Sequence, residues 1–322
     1  MATIDDDSWW AGPDLAALLR RDPAAAIRAL GLVVPPEAPA QSLVEAVRLM
    51  SVIWQDGRAI AKRDFLVSPD DEGLLFGRGV WESTRTHAGR PWLWGMHLER
   101  LVRTARLLNI PIDPAQLPDA DAVARHVRGL TGMDVVIRLN ATAGGNGRPG
   151  TVWMTTALPP EPMPRIRLQT CRNPVPPDQP YLVWKTFQYA TRLRVGQSAG
   201  PGFDSMLLVD AAGHLLEAAH ANIFVRTDAG WATPAAAGGL LPGTVRRHLL
   251  ESAPARIAER PIHRDELADV REAFLTNSNV GLVPVVQVDR HHYPVGAETL
   301  RLASWLRPES SLVPEPLVAM MA

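Results

Sequence analysis

The chain has 322 residues, 46% of them hydrophobic and 21% charged, with a formal net charge of −1. That is enough for two modest domains with a buried core, and the near-neutral balance excludes the basic field a nucleic-acid or membrane-surface partner requires. One cysteine, Cys171, rules out an intrachain disulfide, no apolar run is long enough to span a membrane, and the acidic start Met-Ala-Thr-Ile-Asp-Asp-Asp does not read as a signal peptide, so a cytoplasmic protein is expected.

The first 48 residues read as a helical extension. Pro13 to Arg20 places leucines on one side of a short helix. Asp22-Pro23 reads as an N-cap followed by proline at the first helical position, and Gly31 stands where that helix would stop. Val33 to Pro39 is broken by prolines, and Ser42 to Met50 reads as a further helical turn or two. The run Asp22 to Leu32 is also similar to leader segments related to the nitrile hydratase alpha chain; a cap packed on the following domain is the other reading.

From Ser51 the pattern becomes strand-like, entering a turn at Asp56-Gly57. Leu74 to Phe76 leads into Gly77-Arg78-Gly79, where two glycines let the backbone turn tightly beside a ligand. A strand over Val80 to Thr86 follows, then a helix over Met96 to Leu108, with Leu98, Leu101, Leu107 and Leu108 at helical spacing. Arg100 lies near the start of that expected helix, where free N–H groups and a guanidinium can jointly meet an anion; it also reads as a surface arginine paired with Glu99 or another carboxylate. Strands over Val135 to Leu139 and Thr151 to Ala157 flank a glycine-rich loop, Ala143 to Gly150.

Leu158 to Pro164 holds four prolines in seven residues and reads as a stiff interdomain linker. The expected domains are thus 49–158, small and α/β, and 165–322, larger. A strand resumes at Arg165 to Thr170, and Pro174 to Pro180 is irregular. Lys185 comes next; apart from Lys62 it is the chain's only lysine. Its apolar and aromatic neighbours suit either a partly desolvated amine, usable as nucleophile or base, or a lysine snorkelling from a helix end. Thr186 to Gly196 reads as a helix. Phe203 to Val209 and His214 to Glu217 read as paired strands, as do Asn222 to Arg226 and Gly230 to Thr233. Glu217, among apolar residues, needs a cationic partner: a salt bridge on an edge strand, or a ligand. Pro242 to Ser252 reads as a helix, and His263-Arg264-Asp265-Glu266-Leu267 as the opening of another before a strand at Ala273 to Leu275. Thr276 to Gly281 offers N–H groups and a hydroxyl suited to phosphate. The nine histidines show no metal-ligand spacing.

Five blocks in order carry a resemblance: Gly77-Arg78-Gly79-Val80-Trp81-Glu82, His97-Leu98-Glu99-Arg100-Leu101, Lys185, Glu217 with Asn222-Ile223-Phe224, and Leu241-Pro242-Gly243-Thr244-Val245-Arg246. Over roughly residues 50 to 300 the chain resembles the class IV aminotransferase family, the fold-type IV enzymes that use pyridoxal 5'-phosphate. The resemblance implies an α/β (α+β) two-domain fold like that of D-amino acid aminotransferase, here with an extra helical N-terminal segment. It also implies a homodimer acting on a small amine or amino acid, and no metal. Lys185 would be the catalytic residue and hold the cofactor. Glu217 would face the pyridine nitrogen and Tyr189 the ring hydroxyl oxygen, with Asn222 in the same block. Arg100, Gly243, Thr244, Val245, Asn277 and Ser278 would surround the phosphate. Trp81, Ser83, Arg148 and His220 would meet substrate; the loop carrying Arg148 also reads as a plain hairpin connection.

Three departures from the family pattern stand out. Arg78 replaces the usual Asp between the glycines, Val245 stands where many relatives have Thr, and Ala218-Ala219-His220-Ala221 replaces small Ser/Gly residues. The Thr276-Asn277-Ser278-x-x-Gly281-x-x-Pro284-Val285 segment resembles the family's lyase branch. That implies conversion of 4-amino-4-deoxychorismate to 4-aminobenzoate and pyruvate; the alternative is amino transfer from a branched-chain, D-amino acid or amine donor to a 2-oxo acid.

Overall fold

The computed structural model describes residues 11–29, 40–160, 162–173 and 183–306. The expected helix stop at Gly31, the proline-broken Val33 to Pro39 and the irregular Pro174 to Pro180 lie outside the described residues. The chain divides into two compact units, Met1–Pro159 and Pro160–Ala322.

The first unit opens with helices α1 (Pro13–Arg21), α2 (Pro23–Ala29) and α3 (Ala40–Ser51). Asp22 caps α2 by accepting the Ala25 N–H at 2.9 Å, as the Asp-Pro pair predicts. Helix α3 runs through the expected boundary at residue 48 and ends only where β1 begins. Leu19, Ile27, Val47 and Leu49 share one core with Val52, Trp54, Leu101, Ile137, Leu139 and Met154. The opening helices thus bury apolar area on the sheet, at about 25 cal/mol per Å².

That antiparallel sheet has the order β2-β1-β6-β5-β3-β4: β1 Val52–Gln55, β2 Arg58–Ala61, β3 Gly79–His87, β4 Arg90–Pro91, β5 Val136–Thr142 and β6 Val152–Ala157. Asp56 (φ 48°) and Gly57 (φ 85°) make the first hairpin turn left-handed at both central residues, which matches strand twist. A short helix α4 (Glu72–Phe76), capped by the Asp71 carboxylate and ended by Gly77 at φ 68°, precedes β3. Helix α5 is Trp94–Leu107, and α6 is Ala120–Leu130. Because α5 starts two residues before the expected Met96, Arg100 is its seventh residue. It stands beyond the free N–H groups of the first turn, so the expected partnership between them is corrected.

The second unit is a barrel. Strands β7 (Ile166–Arg172), β8 (Ser205–Val209), β9 (Leu215–Ala218), β10 (Ala221–Thr227), β13 (Glu272–Asn277) and β14 (Gly281–Val288) follow one another by hydrogen bonding. The ring closes because β9 pairs with both β8 and β10. Strands β11 (Gly230–Thr233) and β12 (Ile257–Glu259) extend it from β10, and β15 (His291–His292) pairs with β14. Leu168, Leu207, Leu215, Ile223, Val225, Ala273 and Val285 fill the interior. Helices α7 (Ala190–Gly196), α8 (Thr244–Ser252) and α9 (Ala297–Leu306) complete the unit. Two helix expectations are corrected. The helix after Lys185 starts at Ala190, with Thr186 buried in non-helical chain, and Arg264–Asp269 is a 3₁₀ turn closed by a His263/Glu266 capping box. Among the described residues no helix is long and apolar enough to cross a membrane, and no group of three or more His, Cys, Asp or Glu side chains could hold a metal ion.

Candidate active site

The carboxylate of Glu217 owes its position to a break in strand alternation. Leu215 and Ala218, three residues apart, both belong to the barrel core, which a regular strand forbids. A β-bulge opposite Leu207 to Val209 absorbs the extra residue, so Leu216 and Glu217 both leave the core side. Glu217 then stands across from Asn222 at the seam where β9 meets β10, and Asn222 stands across from Thr276 on β13. All three are buried.

Glu217 is held from several sides. Its Oε1 accepts from the Arg192 guanidinium at 2.5 Å and from the Leu241 N–H at 3.0 Å, and its Oε2 accepts from the Asn222 amide at 3.3 Å. Burial is the largest influence on this carboxyl and raises its pKa; Arg192, the Leu241 N–H and Lys185 pull the other way. Arg192 is itself buried and kept firmly charged, its burial outweighed by Glu217. A carboxyl still raised despite one cation is stabilised further as the anion by a second. Arg192 has no place in the sequence reading: an isolated arginine of α7 carries no signal there that it faces inward.

Lys185 is half-buried in the irregular chain before α7, and its charge bears on both Glu217 and His220. Tyr189, at the N-cap of α7, places its hydroxyl 3.1 Å from His220 Nδ1, with the two rings stacked at 5.9 Å between centroids. One side of the His220 ring is open and the other packs on Tyr189 and Gly196; that burial, then Arg192 and Lys185, lowers its pKa, so the imidazole is neutral at pH 7.

Beside this group lies the start of α8. Gly243 is its N-cap and makes no side-chain cap, leaving the N–H groups of Thr244, Val245 and Arg246 at the helix end. A Cβ on Gly243 would come within 2.1 Å of Asn222 Oδ1, so only glycine allows Asn222 to reach both the Leu241 carbonyl (2.8 Å) and Glu217. The Thr244 and Ser278 hydroxyls meet at 3.0 Å. Val245 is buried by its side chain and can contribute only its N–H. Asn277 turns its side chain to the His220 carbonyl and to the N–H groups of Asn279 and Val280, shaping the hairpin.

These residues fit pyridoxal 5'-phosphate. The Thr276 hydroxyl is buried and has no hydrogen-bond partner among the described residues, on the face that carries Asn222 and Glu217, as expected where a polar ligand completes the site. An uncapped helix N-terminus with two adjacent hydroxyls is suited to a dianion.

The remaining candidates belong to the first unit. Trp81 and Ser83 point from one face of β3, with the Arg138 guanidinium 3.9 Å over the Trp81 ring. Glu82 points from the other face and is fully buried. It accepts from Arg100 Nε and Nη2 at 2.8 and 2.7 Å and contacts His97 Nδ1 at 2.6 Å. The motif residues Glu82, His97 and Arg100 are therefore one ionic cluster, and Arg100 is a buried arginine rather than a surface one. Arg148 closes a tight turn through Asn146 (φ 50°) and Gly147 (φ 75°), with its side chain exposed. Arg78 is ion-paired with Glu72 and donates to the Asn109 carbonyl at 2.8 Å.

Comparison with known proteins identifies the family. The family model for amino-transferase class IV matches residues 79–288. The aminodeoxychorismate lyase of Bacillus subtilis is 26% identical over 75% of this chain and 88% of its own. A bifunctional aminodeoxychorismate lyase / D-amino acid transaminase of Mycobacterium tuberculosis is 25% identical, over 76% and 93%. The solved 4-amino-4-deoxychorismate lyase of Pseudomonas aeruginosa superposes with a TM-score of 0.68 at 28% identity, covering 80% of this chain and 98% of the other. With a family match that spans residues 79–288, the chain belongs to the class IV amino-transferase family and is a pyridoxal-phosphate-dependent enzyme of fold type IV.

Proposed function

We propose that the enzyme is a lyase that converts 4-amino-4-deoxychorismate to 4-aminobenzoate and pyruvate. The observation that carries this reading is the likeness to two aminodeoxychorismate lyases, one in sequence and one in structure, each over at least three-quarters of this chain.

In this reading Lys185 supplies the amine that holds the cofactor, and the freed amine then removes the proton from the carbon bearing the substrate's amino group. When bound, the cofactor supplies an electron sink for the resulting carbanion. The enolpyruvyl C–O bond breaks, the ring becomes aromatic, and the proton on Lys185 is available to the departing three-carbon fragment, which leaves as pyruvate. Glu217 pairs with the pyridine nitrogen, and Asn222 fixes the carboxylate plane. Tyr189 meets the ring hydroxyl oxygen. The phosphate would be held by the N–H groups at the start of α8 and by the Thr244 and Ser278 hydroxyls; within the first unit, Glu82 orients the Arg100 guanidinium. Asn277 acts through the hairpin it shapes. His220 would meet substrate as a neutral imidazole; Trp81, Ser83 and Arg148 are the substrate-facing candidates of the first unit.

The second reading is amino transfer, favoured by the Mycobacterium tuberculosis relative, whose name carries both activities. We also propose a cytoplasmic homodimer of units 49–158 and 165–322, the helices of 1–48 capping the first. The consecutive Leu74, Leu75 and Phe76 are 65%, 54% and 65% exposed, apolar surface that a second copy would cover.

The test is incubation of the holoenzyme with aminodeoxychorismate and no 2-oxo acid. Repeated release of pyruvate and 4-aminobenzoate with an unchanged visible spectrum supports the lyase. Stoichiometric conversion to the pyridoxamine form by amino acids or amines, reversed by a 2-oxo acid, establishes the aminotransferase instead.

A further inference from the structure

We propose that Arg192 is a positioning residue that keeps Glu217 as a carboxylate and occupies its Oε1, reserving Oε2 for the cofactor's ring nitrogen. The inference rests on the reading of Glu217 as that nitrogen's partner.

Arg192 and Glu217 are 5% and 1% exposed. The guanidinium is anchored from behind: Nη1 donates to the Ala219 carbonyl at 3.2 Å while Nη2 donates to Glu217 Oε1. The Leu241 N–H also falls on Oε1, so this oxygen takes two donors, one of them charged. Among the described residues Oε2 takes only the longer 3.3 Å contact from Asn222, which leaves it the oxygen with capacity for a further donor.

The charge distribution gives the arrangement its consequence. With the cofactor bound, one proton would be shared between the carboxyl and the ring nitrogen. A cation in hydrogen-bond contact with the carboxyl would stabilise the carboxylate–pyridinium form over the neutral acid–pyridine form, because it acts directly on the carboxylate. The charged and titratable groups that bear on Glu217 and Arg192 are Lys185 and Tyr189 from the chain before α7, His220 after β9, and Arg246 from α8. His220 has a lowered pKa and is neutral at pH 7; Arg246 is engaged by Glu259 at 3.1 Å and by the Pro234 carbonyl at 2.8 Å. Arg192 is the cation in hydrogen-bond contact with the carboxylate.

The experiment is equilibrium binding of pyridoxal 5'-phosphate to the full-length apo-protein from mildly acidic to mildly alkaline pH, for wild type, R192Q, R192K, E217Q and R192Q/E217Q. With Arg192 gone, Glu217 takes up a proton at higher pH and binding weakens as pH falls. An opposite charge at this range shifts a carboxyl by at least about one pH unit, so R192Q should lose about tenfold in affinity on the acid side and little on the alkaline side. R192K should keep the wild-type pH profile. In the E217Q background R192Q should leave the profile unmoved, which a merely structural role of Arg192 would not produce. R192M, with similar volume and no charge, replaces R192Q should the latter not fold, and should show the same acid-side loss. Equal pH profiles for wild type and the uncharged variants overturn the inference while the family chemistry stands. Absence of cofactor binding in wild type overturns both.

Discussion

Replacing Glu82 by Gln isolates the ionic cluster on which two of the sequence blocks converge. Burial alone would raise the Glu82 carboxyl; the charge and hydrogen bonds of Arg100, then of His97, outweigh it and hold it down from an ordinary 4.5 to about 2. A depression of that size is worth about 3 kcal/mol. Its sign is that of a lowered acid: the contribution is complete above 4.5 and is lost as pH falls toward about 2. The variant also leaves the Arg100 guanidinium, 7% exposed, facing a neutral amide, and breaking a buried pair costs roughly 3–5 kcal/mol. At neutral pH E82Q should therefore unfold in urea with a stability about 3 kcal/mol or more below wild type. Trp94 lies 6.5 Å from the His97 ring and provides a local fluorescence signal. As pH falls below 4.5 the gap should narrow, because a protonated Glu82 resembles the amide. A gap that does not change with pH, or no gap at neutral pH, refutes the reasoning. The same cluster makes Arg100→Ala a poor probe of phosphate binding, since it also strands Glu82; Arg100→Lys keeps the charge and separates the two effects.

Lys185→Ala should abolish the visible absorbance of the holoenzyme, and borohydride reduction of wild type should label Lys185; label on Lys62 would end that assignment. Gly243→Ala pushes a Cβ onto Asn222 Oδ1 and should cost roughly 1–3 kcal/mol of cofactor binding through the lost Asn222 bonds, measured by fluorescence titration. His220→Ser removes the hydrogen bond to Tyr189 and should change kcat/KM between substrates more than cofactor affinity; identical substrate profiles would exclude His220 from the pocket. A chain begun at Leu49 loses the burial of Leu19, Ile27 and Val47 and the 2.6 Å bond from Thr131 to Glu45, so it should melt at lower temperature while still taking up cofactor below that point.

Local chemistry was readable in the sequence itself. The Asp56-Gly57 turn, the Asp22-Pro23 cap and most strands follow from backbone preferences and alternation acting over a few residues. The motif blocks that carry the family resemblance were readable too. The partners were not. Arg100 meets Glu82 across 18 residues of chain and Arg192 meets Glu217 across 25, and hydropathy periodicity carries a residue's face but not its neighbour. Nor does the sequence around Leu215 to Ala218 announce a bulge, since its four residues would serve a regular strand equally well. The bulge lies in the strand that pairs with both β8 and β10 to close the ring, and that register belongs to three strands together. It is that register, set by the pairing between strands, that turns Glu217 out of the core and toward Arg192 and Asn222.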